Sequence, residues 1–255
     1  MTHEPSEVVP ERTLVVLSYS PWSERARWVL EHHGLPYRKQ HHAPFLGERK
    51  LRRIVGPGVP RPTVPILLAG EEKLTDSWDI ALYADREGSG ERLIPDDLAN
   101  EIRRCADRAE RAMVEGRALV VAGLLKDGDA LDETLPPGIP GFVRPLLRPL
   151  TRFGTAWFGR KYALDLEALS SAREALAGAL ASFRERLGDK PYLLDRFTYA
   201  DIVLCSLLQG IEPVADHYLR LGPAQRRVWT QPELAREYQD LIAWRNRTYA
   251  AKRRR

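Results

Sequence analysis

The sequence lacks several features that mark common classes of protein. It has only two cysteines among 255 residues, Cys105 and Cys205, too few for a disulfide-rich scaffold or a thiolate metal site. Its longest apolar run, 118–125, is far shorter than the roughly 20 residues of a membrane-spanning helix. The first residues include neither a basic segment nor an apolar one, so no secretory signal is predicted. We therefore expect a soluble, cytoplasmic protein with no membrane partner.

The charge pattern gives no sign of a nucleic-acid partner. The chain carries 39 lysines and arginines against 35 aspartates and glutamates, a formal net charge of +4. The longest unbroken run of basic residues is 252–255. A solvated terminus is the favoured interpretation of this run, with a contact to nucleic acid or acidic lipid as the alternative, and no zinc-finger or RNA-binding signature accompanies it. The histidine pairs 32–33 and 41–42 have no acidic or cysteine partner at ligand spacing. We expect these histidines at the surface and no metal site.

The first forty residues predict a strand, a helix and a second strand. Residues 13–18 are β-branched and apolar, which favours a buried strand. Ser20-Pro21 then supplies a capping hydroxyl and a proline for the first helical turn, and Gly34 ends the helix. A second strand is predicted over 37–42. This order implies a parallel pair of strands with a right-handed crossover.

The next segment predicts a hairpin and a helix after a proline-rich stretch. The prolines of 56–65 exclude a regular helix there. The residues that follow predict short strands at 66–68 and 73–75, joined by a turn. Asp76 and Ser77 then open a helix. Together with the preceding unit, these elements predict a compact mixed sheet flanked by helices.

The remainder of the chain shows helical periodicity and no strand signal. The prolines and glycines of 127–142 predict a long loop, and Pro145 and Pro149 predict an irregular or kinked segment. Helices are predicted over 98–125, 166–187, 198–212 and 232–250. The sequence therefore predicts an α/β domain at 12–88 and an all-helical domain at 96–250.

Ser20-Pro21-Trp22-Ser23 is the first candidate site for chemistry. It lies where a strand gives way to a helix, so unpaired amides and the helix dipole favour an anion there, notably a thiolate. The segment resembles the Cys-Pro-x-Cys of thioredoxin-like redox proteins, but with two serines it cannot exchange disulfides. The hydroxyl of Ser20 can still donate a hydrogen bond to the thiolate of a substrate. From its spacing alone, a plain helix cap is the favoured interpretation of Ser20.

Two further segments can hold a polar ligand. Val64-Pro65 precedes a predicted strand, and a cis proline there would turn the backbone of Val64 toward an extended ligand; an ordinary trans proline is the alternative. Asp76 and Ser77 at a helix start can hold an ammonium and a carboxylate. They can also serve only as a capping pair.

Together these segments resemble the glutathione transferase superfamily, in its serine-type cytosolic branch. The step of twelve residues from Val64 to Asp76 is the one that the family uses between its cis-proline dipeptide and its acidic–serine pair. The resemblance implies an α/β thioredoxin-like N-terminal domain, an all-α C-terminal domain and a homodimer. It covers about 13–250 and rests on residues 20–28, 61–67 and 74–77, and on the capping motif 197–202.

The resemblance also implies roles for these residues. Ser20 matches the family's thiolate-stabilising serine, with the neighbouring Tyr19 as an alternative donor. The backbone of Val64, next to Pro65, pairs with the cysteinyl residue of glutathione. Glutathione is thus the co-substrate, with no metal. The candidate cations for its glycyl carboxylate are Lys50, Arg53 and Arg61.

The implied γ-glutamyl site and the capping motif involve two further pairs of residues. Asp76, where the family usually has glutamate or glutamine, and Ser77 hold the γ-glutamyl end of glutathione. Thr198 and Asp201 are predicted to cap each other at the start of a helix in the second domain. This second pair has a role in folding.

The implied activity is detoxifying transfer of glutathione to an apolar electrophile by the ionised thiol. A glutathione-dependent isomerase or dehalogenase would use the same thiol site. A non-catalytic binding protein with the same fold is the alternative from another functional class.

Overall fold

The computed structural model describes residues 12–59, 61–136 and 138–253, and it divides into two compact units. Among the described residues, the first unit comprises 12–43 and 47–91, and the second comprises 44–46 and the residues from 92 onward. The first is a small mixed sheet with helices and the second is helical. The predicted fold class is confirmed.

The first unit is built on a four-stranded sheet with the order β2-β1-β3-β4. Strand β1 (Arg12–Val16) is parallel to β2 (Arg38–His41) and antiparallel to β3 (Ile66–Ala69). Strand β3 forms an antiparallel hairpin with β4 (Glu72–Leu74), and Gly70 adopts φ +58° in the turn between them. The predicted parallel pair and hairpin are confirmed.

Three helices accompany the sheet: α1 (Pro21–His32), α2 (Glu48–Val55) and α3 (Ser77–Glu87). Leu51 of α2 packs with Val15 and Ile66 of the sheet in one buried cluster. Because strand side chains alternate between faces, Leu14 and Val16 of β1 point to the opposite face. There they are also fully buried.

The second unit contains eight α-helices among its described residues, and no strand occurs in that part of the chain. A 3-10 turn, Arg144–Leu147, precedes the third of these helices. The helices are α4 (Ala99–Lys126), α5 (Gly128–Asp132), α6 (Arg148–Lys161), α7 (Leu169–Leu187), α8 (Tyr199–Leu208), α9 (Pro223–Trp229), α10 (Pro232–Glu237) and α11 (Gln239–Lys252). None of the helices in the described ranges has the length and apolarity to cross a membrane.

The structure corrects the expectations for the segment around the prolines. The long loop predicted at 127–142 contains the short helix α5, because the carboxylate of Asp127 accepts the amides of Asp129 and Ala130 at its start. The segment predicted as irregular or kinked is mostly the regular helix α6. Pro145 lies at the start of the 3-10 helix Arg144–Leu147, and Pro149 lies in the first turn of α6. A proline at these positions breaks no helical hydrogen bond, because the first N–H groups of a helix have no partner within the helix.

Other boundaries also differ from the sequence analysis. The single helix expected at 232–250 is interrupted at Tyr238, and α2 and α9 were not predicted. His33, expected at the surface, is 2% exposed, and its Nε2 lies 2.7 Å from Asp85 Oδ1. This bond connects the end of α1 with α3, so His33 contributes to the packing of these two helices inside the first unit.

The predicted cap at the start of α8 is present. Asp201 accepts the backbone N–H of Thr198 at 2.8 Å and its hydroxyl at 3.1 Å. The second carboxylate oxygen accepts the N–H of Leu193 at 2.9 Å. Burial raises the pKa of Asp201 to about 6, although these hydrogen bonds act in the opposite direction. One fully buried carboxyl thus connects the preceding loop to the helix.

Candidate functional site

The strand register places the predicted ligand-binding segments at one end of the sheet. Val15, near the carboxyl end of β1, pairs with Ile66 at the start of β3, and Leu67 pairs with Leu74 at the end of β4. The chain therefore leaves β1 toward Ser20, enters β3 from Val64-Pro65 and leaves β4 toward Asp76-Ser77 at this same end. The sheet topology brings to one edge segments that are up to 56 residues apart in sequence, from Ser20 to Asp76.

Ser20 is the N-cap of α1. Its backbone is extended, with φ −74° and ψ 125°, and its Oγ accepts the N–H of Ser23 at 3.4 Å. Because the oxygen acts as acceptor in this bond, the hydroxyl hydrogen can be donated elsewhere, and no described residue accepts it. Ser20 is 8% exposed. The position combines a cap with an available donor at the positive end of a helix.

The second serine of the segment is turned inward. Ser23 is fully buried, and its Oγ accepts the backbone N–H of Leu17 at 3.1 Å. Leu17 also accepts the N–H of Ser20 through its carbonyl oxygen, at 2.9 Å. Ser23 therefore stabilises the turn between β1 and α1, and it leaves Ser20 as the serine of this segment that a ligand can reach.

The peptide bond between Val64 and Pro65 is cis, the alternative that the resemblance implies. Pro65 is buried. Val64 is half-buried and packs against the cluster of Val15, Leu51 and Ile66. The dipeptide is thus anchored in the core of the first unit at the entry to β3.

Asp76 and Ser77 form the start of α3. Asp76 is the N-cap, and its Oδ1 accepts the N–H of Trp78 at 2.7 Å. The side chain is exposed, and its second carboxylate oxygen has no hydrogen bond with a described residue. Ser77 is buried at the first helical position. The capping role is present, and one carboxylate oxygen is available for a ligand ammonium.

The three candidate cations all have exposed side chains. Lys50 and Arg53 lie on α2 and Arg61 lies three residues before Val64. Helix α2 follows the carboxyl end of β2, which is parallel to β1, so its first turn begins at the same end of the sheet. Lys50 in that turn and Arg61 are therefore better placed than Arg53, which lies in the last turn.

A buried ion pair on α1, which was not predicted, contacts the turn before Ser20. Arg27, on α1, donates from Nη2 to the carbonyl oxygen of Ser18 at 3.4 Å and contacts Glu24 at 2.5 Å. The spacing of three residues between Glu24 and Arg27 is a helical ion-pair signal. The signal does not reveal that the pair is buried.

The chemistry offered by this edge is that of anion binding and hydrogen-bond donation. It presents the hydroxyl of a helix cap, the backbone at a cis proline and a carboxylate, and two exposed basic residues lie in neighbouring segments. Within 12–59, 61–136 and 138–253, no set of three or more His, Cys, Asp or Glu side chains is arranged to hold a metal ion.

Comparisons with known proteins agree with this architecture. Residues 19–87 match the family model described as glutathione S-transferase, N-terminal domain. A solved glutathione transferase, GSTFuA3 from Phanerochaete chrysosporium, aligns with a TM-score of 0.63 at 19% identity, over 96% of this chain and 98% of that chain. No curated protein sequence matches the chain significantly.

Two further solved structures with similar folds were determined with a ligand. A glutathione S-transferase from Methylobacterium radiotolerans, in complex with glutathione sulfonate, has a TM-score of 0.60 at 19% identity and is matched over 94% of this chain and 90% of that chain. Rice GST1, in complex with glutathione, has a TM-score of 0.58 at 17% identity, over 94% and 88%. At these identities the likeness shows the fold.

Proposed function

Residues 19–87 belong to the glutathione S-transferase N-terminal domain family, and on that basis we propose that the chain binds glutathione and activates the thiol for attack on an apolar electrophile. The observation that carries the proposal is the position of Ser20. Its hydroxyl hydrogen is unused within the described chain, at the start of α1, and the same end of the sheet holds Val64 and Asp76.

Ser20 would act by stabilising the thiolate of glutathione. A free thiol with a pKa of ~8.5 is only about 3% ionised at pH 7. A hydrogen bond to a charged group contributes roughly 1.5–3 kcal/mol, and one pKa unit corresponds to about 1.4 kcal/mol. One donated hydrogen bond can therefore lower the thiol pKa by one to two units and make a large fraction reactive.

The remaining residues of the site would position the tripeptide. The backbone of Val64, beside Pro65, would pair with the cysteinyl residue. Asp76 and Ser77 would take the γ-glutamyl ammonium and carboxylate. Lys50 or Arg61 would bind the glycyl carboxylate. These contacts would hold the sulfur near Ser20 without taking part in the chemical step.

In the proposed reaction the glutathione thiol first loses its proton to solvent. The thiolate then forms a carbon–sulfur bond with its electron pair, and the leaving group departs with the electrons of the bond that breaks. Addition to an activated double bond needs no leaving group, because the carbanion takes up a proton from water. Neither route needs a redox partner or a metal.

The second unit exposes several apolar side chains. Leu146 precedes α6, which carries Leu150 and Phe153, and these residues are 76%, 55% and 51% exposed. Phe153 and Trp157 pack edge-on against Phe45 of the same unit, with ring centroids 5.7 and 5.5 Å apart. We propose that the protein acts as a cytoplasmic homodimer.

The test is a calorimetric titration of glutathione into the unmodified protein and Ser20→Ala. It is combined with the ultraviolet absorbance of the bound thiolate against pH and turnover of an activated aryl chloride. In Ser20→Ala we expect binding to persist, the bound thiol pKa to rise by one to two units and kcat at pH 7 to fall roughly 10–100-fold. Ser18→Ala is the matched control, since its exposed hydroxyl contacts His41.

The outcomes separate the alternatives. If Tyr19→Phe produces the shift in thiol pKa and Ser20→Ala does not, the tyrosine is the donor. Glutathione binding with an ionised thiol but no transfer to electrophiles would favour an isomerase or dehalogenase. Absence of glutathione binding would leave a binding protein that keeps only the fold. A native thiol pKa and native kcat in Ser20→Ala would refute the proposed role of Ser20.

A further inference from the structure

A second group of basic side chains surrounds a cavity of about 160 Å³ in the helical unit. Residues 104, 105 and 108 contribute one wall from α4, and residues 182, 183 and 186 contribute the other from α7. The lining residues are Arg104, Cys105, Arg108, Ser182, Phe183 and Arg186. Three arginines therefore line one small space between two helices.

Among the described residues, one of these three arginines forms an ion pair with a carboxylate. Arg186 forms a short ion pair with Glu101, and this bond is the main reason that the pKa of Glu101 is lowered. Arg108 donates from Nη1 to the neutral Ser182 Oγ at 2.5 Å. Arg104 makes no hydrogen bond or ion pair with a described residue. Three positive charges thus stand against one negative charge.

Two other acidic side chains of the helical unit are engaged elsewhere. Asp107, on the same helix, pairs with Arg103 at 3.0 Å. Asp201 forms the buried cap of α8. These two carboxylates therefore do not neutralise the surplus of two positive charges at the cavity. An anion bound from solution would neutralise it.

We propose that this cavity binds a small oxyanion with two negative charges, of the size and shape of a phosphate group. Arg104, Arg108 and Ser182 would hold its oxygens, because a planar guanidinium presents parallel N–H groups that match two oxygens of such an anion. A cavity of about 150 Å³ can take a molecule of six heavy atoms such as benzene, so the five heavy atoms of phosphate fit.

The buried side chains of the cavity restrict what can enter. Phe183 is 2% exposed and Cys105 is 5% exposed, and both line the cavity, so this part of its wall is largely apolar. The ligand is therefore inorganic phosphate or the phosphate end of a small monoester, with any organic part directed outward. This site shares no residue with the proposed glutathione site.

The test is a calorimetric titration of inorganic phosphate into the full chain at constant ionic strength. We expect saturable binding below about 10 mM and a rise in melting temperature of roughly 3–6 °C at ten times the Kd. Arg104→Gln and Arg108→Gln should each weaken binding at least tenfold. Arg111→Gln is the control, because Arg111 is exposed on the same helix and does not line the cavity; its Kd should be unchanged.

Cys105 gives a second measurement that needs no arginine variant. Phosphate should slow the alkylation of Cys105 by neutral iodoacetamide, followed by mass spectrometry, by at least threefold in the unmodified protein. A competition between inorganic phosphate and phenyl phosphate distinguishes a free ion from a monoester. No saturable binding by about 10 mM, equal weakening by Arg111→Gln, or no protection of Cys105 would each overturn the proposal.

Discussion

Arg27 donates to the carbonyl oxygen of Ser18 at 3.4 Å, two residues before Ser20. Its guanidinium also contacts Glu24 at 2.5 Å, and the exposed fractions of the two side chains are 11% and 5%. A buried ion pair on α1 is therefore connected to the turn that carries Ser20. We interpret Arg27 as a positioning residue for Ser20, because it donates a hydrogen bond to the backbone of the turn that carries Ser20.

Arg27→Gln should lower both stability and thiol activation. Removing one member of a buried ion pair typically costs about 3–5 kcal/mol, so the midpoint of urea unfolding should fall clearly. Without Arg27, the turn that carries Ser20 should be less rigid, so its hydroxyl should donate a weaker hydrogen bond to the thiolate. The pKa of the bound glutathione thiol should therefore rise toward that of free glutathione. The thiolate absorbance of the complex, measured against pH on the folded fraction, checks this.

The control for this change is an exposed ion pair. Arg103 pairs with Asp107 one helical turn away at 3.0 Å, and both side chains are about half exposed. Arg103→Gln should change the unfolding free energy by less than about 1 kcal/mol and leave the thiol pKa unaltered. If Arg27→Gln loses stability but keeps the native thiol pKa, its role is purely structural.

Much of the first unit could be predicted because its signals are local. A β-branched run followed by Ser20-Pro21 predicts a strand and a capped helix, and both are present. The capping pair Thr198 and Asp201 was likewise predictable from a spacing of three residues. In these segments, neighbouring residues determine the backbone conformation, so no tertiary information is needed.

The features that could not be predicted from the sequence depend on where a residue lies within a helix or on tertiary contacts. Pro145 and Pro149 predict a break in helical structure, yet they lie at the starts of the 3-10 helix and of α6, where proline is tolerated. His33 reads as a surface residue, but its bond to Asp85 joins positions 52 residues apart. The buried pair of Arg27 and Glu24 has the sequence spacing of an ordinary exposed pair.

Asp76 gives a prediction about glutathione affinity. Its Oδ1 caps α3 through the N–H of Trp78, and the second oxygen is proposed to bind the γ-glutamyl ammonium. Asp76→Ala should weaken glutathione binding roughly 10–100-fold, because a charge-assisted hydrogen bond is lost, and should cost about 1 kcal/mol of stability through the lost cap. Isothermal titration and urea unfolding measure the two effects separately.

A cap without a ligand role is the control for Asp76. Asp127 accepts the amides of Asp129 and Ala130 at the start of α5, in the other unit. Asp127→Ala should lose stability and retain glutathione affinity. Asp76→Glu, which restores the family's longer side chain, should bind glutathione at least as well as the native protein. A native Kd in Asp76→Ala would remove Asp76 from the site.

Two helical glycines give opposite predictions for the same substitution. A Cβ on Gly116 of α4 would lie 2.9 Å from Leu176 Cδ1 and 3.1 Å from its Cγ, whereas a Cβ on Gly178 of α7 would meet nothing within 4 Å. Gly178→Ala should raise the unfolding free energy by about 0.5–1 kcal/mol through helix propensity. Gly116→Ala should lower it by roughly 1–2 kcal/mol, because Leu176 is 1% exposed and has little room to move.

Both glycine variants can be measured by urea unfolding monitored at the helical circular dichroism signal. The difference between them isolates packing from propensity, since both positions are inside long helices. A Gly116→Ala protein as stable as Gly178→Ala would show that α4 and α7 separate without cost at this crossing.

Asp201 predicts how stability responds to pH. Its pKa is about 6 in the folded chain and about 3.9 in an unfolded one, so the folded state binds the proton more tightly. The contribution is fully present below about pH 4 and is lost as pH rises through about 6. Two pKa units correspond to about 3 kcal/mol. Glu101 has a lowered pKa and acts in the opposite direction, so the native curve alone is not decisive.

Asp201→Asn isolates this contribution, because asparagine does not titrate while the other carboxyls are unchanged. The variant should be less stable than the native protein at pH 4, where the native carboxyl is neutral and buried without a charge. Its deficit should shrink by up to about 3 kcal/mol between pH 4 and 7. Urea unfolding of both proteins at several pH values gives the deficit directly, and a deficit that grows with pH would mean that the ionised carboxylate is the form that the cap of α8 prefers.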